Sequence, residues 1–243
     1  MISLIIPCYN EEDYITKLLN SLEKQTLSKY LFEIIIVDNG SKDETSEKVI
    51  RFMKSSKMDI KLIIEPVMGV SRARNTGASH ANYDILIFLD ADNLISDFFL
   101  EKVFSKFTDT SIGAATIKTL AEQNSIIGCL VFVILDMIKY YIRRPFGKSI
   151  IRKRIFNLSG GFNESIALGE NPELLIRIKK ICSNEGKKFI HITESITCSL
   201  RRFNELGYIS VLSKWFLAYI GLWGSSYKTM SEIQEIGNQD THH

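Results

Sequence analysis

Cysteine and histidine are scarce in this chain, with four of each among 243 residues. The cysteines, Cys8, Cys129, Cys182 and Cys198, are scattered and form no CxxC pair. That pattern argues against a thiolate zinc site or a disulfide framework and fits reduced, mostly buried thiols in a cytosolic protein. Two of the histidines stand at the extreme C-terminus, and none of the four offers zinc spacing. A surplus of one charge is missing as well. Lys and Arg number 30 against 28 for Asp and Glu, a net charge of +2, so composition gives no reason to expect nucleic acid as a partner. Long apolar runs are also lacking. The most apolar segment, Ile126 to Ile142, meets its first charge at Asp136, short of the roughly 20 residues a bilayer span takes. The opening MISLIIPCYN has no basic region and reads as a strand rather than a signal peptide.

What remains is an ordinary globular composition, 45% hydrophobic and 24% charged, of a length that suits one large domain or a domain with an appendage. The first half alternates. ISLIIP, FEIIIVDNGS, IKLIIE and DILIFL read as four strands. Between them fall helical signals: Ile15, Leu18, Leu19 and Leu22 at helical spacing, then SKDETSEKVIRFM, then VSRARNTGASHA. Strand–helix alternation predicts an α/β fold, with a mostly parallel sheet, helices on both faces and ligands outside the carboxyl ends of the strands. Residues 1–118 form the regular half and residues 119–243 the less regular one, within one continuous domain.

Polar clusters follow three of these strands: PCYNEE, DNGSKD and DADN. Turns favour Asp and Asn in any protein, so one acidic strand end means little. Three on the same edge of a parallel sheet predict a site. If the strand continues through DADN, Asp90 and Asp92 point to one face, with small Ala91 between them. Two such carboxylates suit an oxygen-loving divalent cation, Mn²⁺ or Mg²⁺, shared with substrate phosphates. Asp38 can accept a hydrogen bond from a base N–H, and Tyr9 can cover a base with its ring. Arg72, just after Gly69 at the start of a predicted helix, is placed to favour an anion.

The stretches SLIIPCYNEEDYI, EIIIVDNGSKDET, GVSRARNTGASHANYDILIFLDAD and LSGGFNESIALGENPELLIRI resemble, in order and spacing, the signature blocks of family 2 glycosyltransferases. The resemblance covers roughly Met1 to Ile181 and implies the GT-A fold. It also implies transfer of a sugar from a nucleotide diphosphate donor, a UDP-sugar first, to an acceptor hydroxyl, usually with inversion. Carried over residue by residue, it places Pro7, Tyr9 and Glu11 in the nucleoside pocket and Asp38 on the base. Arg72 would contact base or phosphate, Asp90 would lie near ribose and metal, and Asp92 would be the principal metal ligand. Gly160, Gly161 and Phe162 would form the acceptor-side loop.

One position departs from that pattern. The family usually carries Glu-Asp in the last block, with the Asp as general base; here the pair is Glu170–Asn171. An amide does not take a proton at neutral pH. Local structure tolerates Asn, since NPELLIRI reads as an N-cap, Pro at the first helical position and an apolar helix face. Three explanations stand open: Glu170 or Glu173 serves as the base, a deliberate Asp-to-Asn change traps a complex, or the protein binds donor without rapid transfer. The family's usual His after the last core strand is absent from SITCSLRRF, where Ser199 or water would complete the metal shell and Arg201 and Arg202 would meet the diphosphate. A sugar-phosphate nucleotidyltransferase, the alternative enzyme class, would want a Gly-rich basic loop where PCYNEE is acidic and has no glycine.

The second half raises a membrane question. Six basic residues, Arg143, Arg144, Lys148, Arg152, Lys153 and Arg154, follow the apolar segment, and Trp215 and Trp223 lie in a second apolar stretch. The arrangement predicts peripheral contact with the cytoplasmic face of a membrane and a glycan or lipid-linked acceptor.

Overall fold

The computed structural model describes residues 1–122, 127–134, 145, 147–166 and 169–219, with Arg202 and residues 214–219 described by backbone alone. The first half follows the predicted alternation. Strands β1 (Ile2–Cys8), β2 (Phe32–Asp38), β3 (Ile60–Ile64) and β4 (Ile85–Phe88) are separated by helices α1 (Ile15–Glu23), α2 (Thr45–Ser55) and α3 (Val70–Ser79). Then come β5 (Asn93–Ile95), α4 (Phe99–Phe107), β6 (Ile112–Ala121), the helical residues 127–134 (α5) and β7 (Ser149–Arg152). Helices α6 (Lys153–Ser159) and α7 (Glu170–Asn184), strand β8 (Lys188–Cys198), and helices α8 (Arg201–Leu206) and α9 (Tyr208–Tyr219) complete the order.

All eight strands join one sheet in the order β3-β2-β1-β4-β7-β6-β8-β5. β1 pairs in parallel with β2 and β4, β2 with β3, and β6 with β8. β7 is antiparallel to β4 and β6, and β5 to β8. The crossovers from β1 lead outward to β2 and β3, then back past β1 to β4. The switch point of the sheet therefore lies between the carboxyl ends of β1 and β4, where α/β sheets open a crevice.

Side-chain alternation divides the core into two layers. Ile2, Leu4, Ile6, Ile34 and Ile36 join Ile15, Leu18, Leu19 and Leu22 of α1 and Phe99 and Val103 of α4 on one face. Ile5, Ile35, Val37, Leu86 and Phe88 join Ala73 of α3, Phe156 of α6 and Leu174 and Ile178 of α7 on the other. Each of the four α1 side chains is wholly buried, a gain of about 1.5–3 kcal/mol apiece. Helix α3 sits close on the sheet, because a Cβ on Gly77 would stand 2.5 Å from Ile5 Cγ2. A third, smaller cluster of Ala121, Phe132, Leu200, Phe203 and Val211 ties α5, α8 and α9 together.

Two local expectations are corrected. β4 ends at Phe88, so Asp90 and Asp92 stand in the turn before β5 and strand alternation does not govern them. Asn93 closes that turn: its side-chain Oδ1 accepts from the Asp90 N–H (3.0 Å) while its backbone N–H donates to the Asp90 carbonyl (3.1 Å). Helix α7 starts at Glu170 with Gly169 as its cap residue, so Asn171 lies within the first turn and does not cap it. Pro172 is tolerated there because the first turn has no intrahelical acceptor for its missing N–H.

Candidate active site

The three polar clusters meet at the switch point. Register places Cys8 beside Asp38 and Ile5 beside Phe88, so the ends of β1, β2 and β4 share one edge. The β1–α1 and β2–α2 loops are knitted together. Asn10 N–H donates to Ser41 Oγ (3.0 Å), Glu11 N–H to Thr45 Oγ1 (2.8 Å), and Lys42 N–H to Asn10 Oδ1 (2.8 Å). The buried thiol of Cys8 registers the resulting field. Burial pushes its pKa well up, and the carboxylates of Glu11, Asp38, Asp90 and Asp43 push it further.

Asp90 is neutralised by the protein itself. Its Oδ1 accepts from Arg74 (3.0 Å), and its Oδ2 meets the Lys148 ammonium. Arg74, with only 7% of its side chain exposed, also bonds Glu170 (2.8 Å) and lies over the Phe162 ring at 5.2 Å. Burial works against the Arg74 charge, and Asp90 and Glu170 more than restore it, so the guanidinium is held above its usual pKa. Asp92 accepts from Asn93 Nδ2 (3.1 Å) and borders a narrow cleft with Tyr14, Lys17, Glu122, Thr197 and Ser199. Arg201 pairs with Glu11 (2.7 Å) and stacks over Tyr14 at 4.8 Å. Its own burial opposes its charge, but Glu11 foremost and then Asp92 hold its pKa up.

Other sequence-predicted residues are committed to local structure. Asp38 is buried, accepting from Ser41 N–H (2.8 Å) and the Ser46 hydroxyl. Gly69 gives its N–H to Asn39 Oδ1 (2.7 Å), and Arg72 pairs with Glu164 (2.7 Å). Pro7 and Tyr9 are half-buried beside the β1–α1 loop. Gly161 is needed as glycine: its φ is +78°, and a Cβ would stand 2.7 Å from Asn75 Oδ1. That oxygen takes the Phe162 N–H (2.8 Å), docking the Gly160–Phe162 loop on α3. Glu173 is bound to Arg177 (2.5 Å), which in turn caps the Gly161 carbonyl (2.8 Å). Asn171 donates from Nδ2 to the Gly147 carbonyl (3.0 Å). Of the two candidate bases, Glu170 sits in the Asp90 network and Glu173 does not pair with it.

Arg74 and Asn75 were not singled out from the sequence, and Lys148 stood out only as one of the basic run. Helical spacing held a signal for Arg74, which falls on the buried stripe of α3 with Ser71 and Ala78, while Arg72 does not. Of the basic run, Lys148 meets Asp90, Arg152 pairs with Asp84, Lys153 reaches the Ala81 carbonyl and Arg154 pairs with Glu185. Arg143, Arg144, Trp223, residues 135–142 and the side chains of Arg202 and Trp215 lie outside the described residues.

For a divalent cation the fit is partial. Among the described residues no group of three or more His, Cys, Asp or Glu is disposed to hold one. Asp90 already faces two cations, so Asp92 is the carboxylate suited to share an ion with donor oxygens and water. A cavity of ≈ 560 Å³ lies away from this edge, by Asn82, Tyr83 and Asp84 just before β4. No helix among the described residues is long and apolar enough to cross a membrane.

The sequence model described as glycosyl transferase family 2 matches residues 3–161. The chain is 38% identical to Glycosyltransferase AglE of Haloferax volcanii over 112 residues, 46% of this chain and 36% of that protein. It is 34% identical to Dolichyl-phosphate beta-glucosyltransferase ALG5A of Trichomonas vaginalis over 132 residues, 50% of this chain and 41% of that one. It thus spans less than half the length of these curated relatives. Among solved structures, TarS 1–349 of Staphylococcus aureus in complex with UDP-GlcNAc is similar at a TM-score of 0.67 and 23% identity, over 82% of this chain and 58% of that one. Mannosyltransferase PcManGT of Pyrobaculum calidifontis, in complex with GDP-Man and Mn²⁺, gives 0.63 and 21%, over 82% and 56%. At those identities the two structures speak for a shared GT-A fold.

Proposed function

We propose that this chain, which belongs to glycosyl transferase family 2, moves a sugar from a nucleotide diphosphate donor to an acceptor hydroxyl, with inversion. The observation that carries the reading is the meeting of three polar strand ends at the β1/β4 switch point, with Glu170 of α7 reaching the same edge through Arg74. A UDP-sugar is the donor of choice, and the nucleotide-sugar complexes of the structural neighbours support the class. The acceptor oxygen attacks the anomeric carbon as the bond to the diphosphate breaks. The electron pair leaves with the nucleoside diphosphate, and the acceptor proton passes to Glu170. Asp92 would hold Mn²⁺ or Mg²⁺, which would supply charge stabilisation for the leaving diphosphate. Pro7, Tyr9, Glu11 and Asp38 form the nucleoside side, and Gly69, Arg72 and Gly161 the sugar–phosphate side. Residues 1–118 are the donor half and 119–243 the acceptor half.

UDP-GlcNAc titrated calorimetrically with Mn²⁺ should bind, and should bind weakly with chelator or in Asp92→Ala. Equal affinity in all three would remove the metal from the reading. Donor binding without any hydrolysis or transfer would instead favour a nucleotide-sugar binding protein, the reading that the amide at Asn171 keeps open.

The acceptor is a glycan or a lipid-linked sugar. Ile127, Leu130, Val133 and Ile134 of α5 are exposed and support peripheral contact with a membrane's cytoplasmic face. The described part of the basic run does not, since each member is engaged within the protein. Co-sedimentation with anionic liposomes should fall in Ile127→Ser/Leu130→Ser. Recovery of the unaltered protein wholly in the supernatant would end the membrane reading.

A further inference from the structure

The side chains around Asp90 close into a circuit. Glu170 bonds Arg74 (2.8 Å), Arg74 bonds Asp90 (3.0 Å), and Asp90 meets Lys148. Lys148 follows Gly147, whose carbonyl accepts from Asn171 Nδ2 (3.0 Å), and Asn171 adjoins Glu170. Two neighbouring residues of α7 therefore reach one carboxylate by two routes, the first through a guanidinium and the second through a backbone carbonyl. The circuit holds two cations and two anions, so it is neutral as built.

We infer that Asn171 is a positioning residue. Its amide fixes the Gly147 carbonyl and so sets the Lys148 ammonium against Asp90, and this position works as a hydrogen-bond donor rather than as a base. The inference rests on the transferase reading for its link to catalysis. The chemistry is that of donors and acceptors. An amide nitrogen donates; an ionised carboxylate only accepts and would face the Gly147 carbonyl, acceptor against acceptor. The Oδ1 of Asn171 gives a second reason. It is buried with no hydrogen-bond partner among the described residues, so a negative charge there would find no donor on that side either. The residue that departs from the family pattern thus fits its surroundings as an amide.

The test uses the full chain with Asn171→Asp, Asn171→Ala, Lys148→Met and the Asn171→Ala/Lys148→Met double variant. The carboxyl introduced by Asn171→Asp keeps the bond to Gly147 only when protonated, so its folded pKa is raised above its unfolded value of about 3.9. Its stabilising share is then present in acid and lost as pH rises through the raised value. Asn171→Asp should therefore melt near the unaltered protein only below about pH 4 and roughly 2–4 °C below it at pH 8. The Asn171→Ala deficit should not change between those pH values. The neighbouring charged groups, among them Glu170, Lys148 and Glu173, are the same in both variants, so the difference isolates the new carboxyl.

Asn171→Ala and Lys148→Met should each weaken UDP-GlcNAc binding about tenfold, and the double variant should be no weaker than the worse single one. Faster turnover in Asn171→Asp, a pH-independent melting deficit, or strictly additive losses would overturn the inference. If the unaltered protein binds no UDP-GlcNAc with Mn²⁺, the transferase reading fails instead, and the melting temperatures still judge the Asn171–Gly147 contact.

Discussion

Two carboxylates, one at each end of the sheet, are neutralised by cations in opposite ways. Glu33 of β2, towards the amino end, is wholly buried and saturated. It accepts from Lys61 (2.7 Å), Ser3 Oγ (2.6 Å), and both the N–H (2.6 Å) and Nδ2 (2.9 Å) of Asn82. Asp90, at the carboxyl end, keeps 31% of its side chain exposed while facing Arg74 and Lys148. Pairing chemistry is the same at both ends. The difference lies in what the pairs leave open: Glu33 is wholly enclosed by its four donors, whereas Asp90 keeps part of its carboxylate at the surface, two residues from the Asp92 that borders the narrow cleft. An ion pair marks a functional edge only when its surroundings leave room for a third party.

The largest effect should come from the open end. Glu170→Gln keeps a hydrogen-bond acceptor for Arg74 but removes the proton acceptor, so turnover should fall about 10²–10⁴-fold with donor affinity within a fewfold. Rates at saturating donor and acceptor decide it. If Glu170→Gln turns over normally while Glu173→Gln does not, the base role belongs to Glu173 despite its Arg177 pairing. The closed end should respond in stability alone. Lys61→Met leaves a buried carboxylate with only neutral donors and should cost about 2 kcal/mol, less than the 3–5 kcal/mol of a fully stripped pair because Ser3 and Asn82 remain. Denaturant unfolding measures the loss, and transfer by the surviving folded protein should be unchanged. A drop in activity per folded molecule would mean that the two ends are coupled.

The smallest effect concerns acid. Burial opposes the Glu33 charge, but the bonds from Lys61, Ser3 and Asn82 win and hold its pKa below the usual carboxylate value. A depressed pKa contributes stability that is present above the unfolded value of about 4.3 and lost as pH falls through the folded one. Glu33→Gln should therefore flatten the stability profile below about pH 4 and leave its neutral branch parallel to that of the unaltered protein. Identical acid slopes would assign that loss to other carboxylates.

Much of the donor half was legible because its signals are local. Four apolar strands, their helices and the polar clusters after β1, β2 and β4 follow from patterns within about a dozen residues each. What stayed hidden depends on contacts across the chain. Asp90 looked like one half of a metal pair because nothing near it in sequence announces Lys148, 58 residues on, or the Arg74–Glu170 link across 96 residues. Arg72 drew attention over Arg74 because it begins the helix, although the buried stripe of α3 includes Arg74. The Glu173–Arg177 pair was readable, being four residues apart on a helix. The amide at Asn171 could be recognised as a departure from a pattern, but its partner Gly147 lies 24 residues upstream.

Cys8 turns the crowding of carboxylates into a statement about reagents. A thiol alkylates through its thiolate, and burial together with Glu11, Asp38, Asp90 and Asp43 suppresses that form. Cys8 should thus be slow to react with iodoacetamide, while half-buried Cys129 and Cys198 react sooner. Labelling of Cys8, followed by peptide mass mapping, would then keep time with local opening of β1 and serve as a clock for breathing of the sheet rather than as a way to block turnover.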